Sequence, residues 1–235
     1  GATGGSIEMA TGGGTKHSSG MFTIRTAAGG GSAPKGVSGA LFLQTGGATA
    51  GASGAVLVET GDSVGGAGGS LSMSVGSGDT GAGGRVVVHA GGTSSSTGLT
   101  GGSVALSTGS SEATSSGGFT IETMNAGTNG VSGHLSFTTG TTSKGGSGYI
   151  QIASGAATSG DGGSISVGVG GGSSASGGRI MVTAGDSSGA TGGSIEMATG
   201  GGTKHSSGMF TIRTAAGGGS APKGVSGALF LQTGG

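Results

Sequence analysis

The sequence predicts an all-β fold: a parallel β-solenoid with about two 15-residue, one-strand units per coil, continued as a long tandem array. Three observations predict it. Short segments alternate strictly between apolar and small or polar residues, as in 148–154 (GYIQIAS). The same phrase begins again at Gly163, Gly178 and Gly193. On a longer scale, residues 1–47 recur without a change as 189–235, a period of 188 residues. Period-two alternation of this length is the signature of a half-buried strand, because successive side chains of a strand point to opposite faces. Repeats of this regularity dictate architecture before any other feature does.

Twelve segments fill one period, opening at Gly5, Gly20, Gly39, Gly54, Gly69, Gly84, Gly102, Gly117, Gly133, Gly148, Gly163 and Gly178. Their consensus is G-x-h-x-h-x-[T/A/S/V]-G followed by a turn, with Ala27 and Met124 in place of the closing glycine in two of the twelve. Glycines at both segment ends suit corners that require positive φ. The inward positions, and hence the expected stacked core, are Ile7, Met9, Phe22, Ile24, Leu41, Leu43, Val56, Val58, Leu71, Met73, Val86 and Val88, continuing through Val104, Leu106, Phe119, Ile121, Leu135, Phe137, Ile150, Ile152, Ile165, Val167, Ile180 and Val182. The second member of each pair is β-branched in every even-numbered segment (Ile24, Val58, Val88, Ile121, Ile152, Val182) but among odd ones only at Val167. That parity predicts two sheets, one from odd and one from even strands, across a thin core. Nine of the twelve spacings are 15 residues, and the three longer ones follow even segments. The insertions 27–38, 91–101 and 124–132 then bulge from a shared edge. The whole chain, 1–235, reads as one continuous solenoid. A coil of one 15-residue unit is the second reading. An antiparallel meander is the third, because the connections exceed the about two to five residues usual in hairpins.

Composition bounds the rest. Of 235 residues 66 are glycine, with two prolines and no cysteine. Glycine and serine at this level without a period indicate disorder, but here they carry a register of paired apolar residues. Nine basic and nine acidic residues balance, which argues against a nucleic-acid partner recruited by charge. No run approaches the ~18 apolar residues of a membrane span; no signal peptide is expected within this stretch, which opens inside a repeat and reads as a window on a longer protein. Without cysteine there is no disulfide framework and no thiolate metal site.

Two accidental motifs appear. Gly61-Asp62-Ser63-Val64-Gly65 fits the nucleophile elbow, and residues 76–81 (GSGDTG) fit a dinucleotide loop. Both need a helix to follow, and none is predicted. Asp62, Asp79, Asp161 and Asp186 are scattered, and His17, His89 and His134 share no ligand spacing. No catalytic, cofactor-binding or metal site is therefore expected, and no enzyme activity.

The outward residues of even segments are more informative. Their middle column includes Leu57, Val87 and Met181, flanked by Arg85, Arg179, Glu59 and Glu122. That mixture suits a lateral interface with another filament. Serine and threonine of the odd face and the turns are candidate O-glycan acceptors. Sugar would be O-linked, since Asn125 and Asn129 begin no sequon. An ice-binding solenoid is less favoured, because Thr11, Thr26, Thr45, Thr60, Thr108 and Thr139 fall on inward parity rather than in outward columns.

The phrases GALFLQTG, GAVLVETG and GSVALSTG resemble Gly/Ser/Thr-rich β-solenoid arrays of large cell-surface proteins, those of microalgae and those of bacterial adhesins among them. The resemblance covers the whole chain and implies an extracellular fibre, sheath or stalk. The expected function is structural: a surface filament built by tandem repetition and self-association into homo-oligomers. The alternative is an adhesin or carbohydrate-binding module, with contacts in the insertions near Lys16, His17, Pro34 and Lys35.

Overall fold

Position seven of each segment is a small or β-branched residue, and the glycine that opens the next segment lacks a Cβ. Such a pair can approach closely enough to close the intervening loop. The structure, a computed structural model, describes residues 4–31, 36–96, 98–173, 176–219 and 224–234. In it every opening glycine from Gly20 onward lies against position seven of the preceding segment. A Cβ added at Gly54 would sit 3.6 Å from Thr45 Cβ and Cγ2, and one at Gly148 would sit 3.5 Å from Thr139 Cγ2. Both are ordinary van der Waals contacts. Where position seven is valine the fit is tighter: a Cβ at Gly84 or Gly178 would overlap Cγ1 of Val75 or Val169.

Hydrogen bonds reinforce these necks. Gly117 N–H donates to Gly109 C=O at 3.0 Å, Gly193 to Gly185 at 2.9 Å and Gly102 to Gly91 at 2.8 Å. Thr60 Oγ1 donates to Gly69 C=O at 3.2 Å, and Ser154 Oγ to Gly163 C=O at 2.9 Å. A short loop whose ends meet in this way is an Ω-type loop. Longer insertions leave the neck intact: Gly39 still meets Thr26, Gly102 meets Ala90 and Gly133 meets Thr123. Inside the third insertion, Gly130 N–H donates to Gly127 C=O at 3.2 Å across Thr128 and Asn129, as in a β-turn.

The repeated sequence acts as an internal control. Gly36 N–H donates to Gly30 C=O at 3.2 Å, and its twin Gly224 to Gly218 at 3.1 Å. A Cβ on Gly29 would lie 2.6 Å from Gly36 O and 2.7 Å from Val37 C, and Gly217 meets the same two residues of its own copy. Backbone so close leaves no room for a side chain. Gly29→Ala is therefore expected to cost on the order of 1–3 kcal/mol locally and to open this loop. Gly30→Ala, with open space around its added Cβ, should leave it closed. Amide chemical shifts of Gly36 and Val37 distinguish the two. Equal shifts in both variants would remove the close approach as the cause.

Exposure of the twins shows what one segment does for the next. Phe22 and Phe210 agree at 56% and 55% exposed, but Ile7 is 90% exposed and its twin Ile195 only 52%. Ile195 comes after the described segment opening at Gly178, whereas Ile7 has no described segment before it. At the other end, Leu43 is 75% exposed and its twin Leu231 88%. Consecutive segments thus cover one another in part, the nearest-neighbour coupling expected of a repeat chain.

The parallel β-solenoid that the alternation predicts is not formed. Among the described residues there is no helix and no β-strand. No buried apolar core exists among them either. The pairs assigned to it are exposed throughout: Ile7 and Met9, Phe22 and Ile24, Leu41 and Leu43, Val56 and Val58, Leu71 and Met73, Val86 and Val88, Val104 and Leu106, Phe119 and Ile121, Leu135 and Phe137, Ile150 and Ile152, Ile165 and Val167, Ile180 and Val182. The physical reason lies in what each segment offers. Two large apolar side chains must offset the ordering of about 15 residues, each costing roughly 1–2 kcal/mol of backbone entropy, and glycine loses more than any other. A ladder pairs groups distant in sequence, whereas the backbone hydrogen bonds found here span three to eleven residues and join glycine to glycine.

Total accessible surface is 22,976 Å². A globular chain of 21.1 kDa would expose about 9,000 Å² and the unfolded chain about 31,000 Å². Two units are distinguishable, Gly1–Phe119 and Thr120–Gly235. The same necks and the same exposed pairs recur in each of them.

Candidate functional site

Among the described residues there is no pocket, and nearly every residue is exposed. The dominant surface feature is the series of apolar pairs. The first member of each pair is 54–62% exposed from Phe22 to Ile180, a narrow range that reflects one recurring environment. The second member is more variable, at 51–80%. Such exposure of large side chains in every repeat is far beyond the isolated apolar residues normal on a monomer.

The residues flanking the pairs add polarity without pairing off inside the chain. Arg25, Glu59, Arg85, His89, Glu122 and Arg179 are all exposed. Among the described residues their side chains have no hydrogen bond or ion pair. Leu57, Val87 and Met181, the expected lateral interface, are exposed as well, Val87 being the most covered of the three at 51%. The backbone is equally free. Among the described residues no hydrogen bond engages the main chain between positions two and six of any segment.

The remaining sequence candidates within the described residues sit at or beside bends. Lys16 and His17 occupy a bend at 15–17, formed where Gly14 approaches the His17 carbonyl. The twin bend at 203–205 repeats it. Pro34 and Lys35, the other edge residues of the adhesin reading, lie outside the described residues. Ser63 of the elbow-like motif precedes a bend at 64–66 in which Gly65 has φ of +81°, and no helix follows it. Among the described residues no group of three or more histidine, aspartate or glutamate side chains could hold a metal ion. Among the described residues no helix is long and apolar enough to cross a membrane.

One feature of the site was not foreseen. Position seven, whose threonines the alternation places on inward parity, closes the loop against the following glycine. The signal was present in the consensus, where [T/A/S/V] at position seven and the next opening glycine recur together. Only their mutual contact was missing.

Comparison with family models, characterised proteins and solved structures finds no match to this chain.

Proposed function

We propose that this is a structural repeat protein that self-associates into an extracellular filament, fibre or stalk at the cell surface. The observation that supports the reading is the recurrence, in every segment, of a large apolar pair at least half exposed. Apolar surface held in register along a chain is buried most simply by the same surface on another copy, because like segments then meet like segments. The identical recurrence of 47 residues after 188 means that any contact made at one place is available again further along. That is the requirement for open-ended growth rather than closure. Exposed serine and threonine in the loops leave O-linked sugar compatible with the same role, since modification there would not touch the apolar pairs.

The test is assembly of the purified chain. Above a threshold concentration it should become sedimentable and show filaments in negatively stained electron images. Surface labelling of intact source cells should decorate them. A chain that stays monomeric by analytical ultracentrifugation at all attainable concentrations would defeat the proposal.

A further inference from the structure

We infer that the partner of each segment is a segment of a second copy of this chain, laid alongside it backbone to backbone and displaced by two segments. The inference rests on the self-association proposed above and specifies its register. Three observations carry it. The main chain at positions two to six is unbonded among the described residues, and an unpaired extended edge is the natural template for another chain. The pairing is between copies; the chain's own segments make none. The second observation is the parity of the apolar pairs. Ile24, Val58 and Val88 are β-branched, whereas the intervening Leu43 and Met73 are not, so only a displacement by an even number of segments matches like shapes.

Charge selects among the even displacements. Position six of successive even segments is Arg25, Glu59 and His89. Alignment without displacement sets Arg25 on Arg25 and Glu59 on Glu59, and like charges directly opposite are destabilising. Displacement by four segments sets Arg25 beside His89, again without an acid. Displacement by six joins Arg25 to Glu122 but leaves Glu59 and His89 opposite Ala153 and Thr183. Displacement by two sets Arg25 beside Glu59, and His89 beside both Glu59 and Glu122, so each acid meets a base. In the second unit it also brings Tyr149 beside Arg179, an aromatic face against a guanidinium. The area suffices: with on the order of 100 Å² available per apolar side chain, four segments supply the about 800 Å² per partner of a stable interface.

The experiment uses the full chain and the threshold concentration for sedimentation at low salt. Arg25→Glu puts an acid beside Glu59 of the neighbour and should raise the threshold about tenfold; Glu59→Lys should do the same through Arg25. An equimolar mixture of the two variants should restore the wild-type threshold, since each cross-contact is then of opposite charge. Thresholds of both variants equal to wild type overturn the displacement, and so does a raised threshold that mixing fails to restore. Amides of residues 55–59 should gain hydrogen-exchange protection in the sedimented material, and free exchange there overturns the backbone contact. Failure of the wild-type chain to assemble at all is a different result, and strikes the underlying proposal instead.

Discussion

Replacing Ile150 and Ile152 together by serine is expected to raise the threshold concentration for assembly by about two orders of magnitude. The two side chains are 55% and 76% exposed in the single chain, so most of what they can contribute is still unspent there. Full burial of an isoleucine is worth about 1.5–3 kcal/mol; the exposed fractions of this pair therefore hold about 2–4 kcal/mol. At 1.4 kcal/mol per tenfold, that corresponds to roughly a hundredfold. The monomer should be little affected, because among the described residues it has no buried core to lose. Its circular dichroism and hydrodynamic radius should match those of the parent chain. Ala157→Ser, in an exposed loop, provides the control and should leave the threshold unchanged. An unchanged threshold in the double variant would show that the pairs are not the assembling surface, and would falsify the central argument.

The outcome bears on what the sequence could disclose. The segment ends were legible, since Gly54, Gly69 and Gly148 were identified as segment openings and each stands at a neck against Thr45, Thr60 or Thr139. These contacts are nine residues apart, and a consensus of residue types at fixed short spacing is enough to specify them. The twins show the same thing from the other side. Gly14 and Gly202 both close on the carbonyl of the following histidine, His17 or His205. Identical short sequences therefore give identical loops.

The sheet was not legible, and the reason is physical. Alternation such as Tyr149, Ile150, Gln151, Ile152 fixes which side chains share a side of the segment. It does not say what covers that side. A segment half-buried by its own chain and one awaiting another copy carry the same period. Ladder pairing is decided by distant contacts whose ordering cost falls on long glycine-rich connections, and those terms are invisible in a seven-residue pattern. The alternation thus marks the apolar pairs residue by residue and predicts an internal core around them, which the described residues do not form. The necks carry the corresponding lesson for Thr60 and Ser154, whose hydroxyls reach the next segment's opening carbonyl. Their parity pointed to a core rim, but an inward-pointing hydroxyl needs an acceptor, and the nearest one is the backbone of the following glycine.

Below the assembly threshold the chain is expected to show no cooperative heat-absorption peak and a heat-capacity change of at most about 1 kcal/mol/K. A globular protein of 235 residues would give about 3 kcal/mol/K. The difference follows from surface. With 22,976 Å² accessible, the structure removes only about a third of the area that a globule of its mass removes from water, and heat capacity scales with that area. Cooperativity fails for the same reason: each neck closes locally, between one segment and the opening glycine of the next, and neighbouring segments cover one another only in part, so no single event unfolds the chain. Above the threshold a transition should appear, and its midpoint should rise with protein concentration because association stabilises only the ordered form. Scanning calorimetry across a hundredfold range of concentration separates the cases. A sharp peak with the full globular heat capacity in dilute monomer would mean that the apolar pairs are buried within one chain after all. A concentration-dependent peak with none in dilute solution places their burial between chains, where the exposed pairs require it.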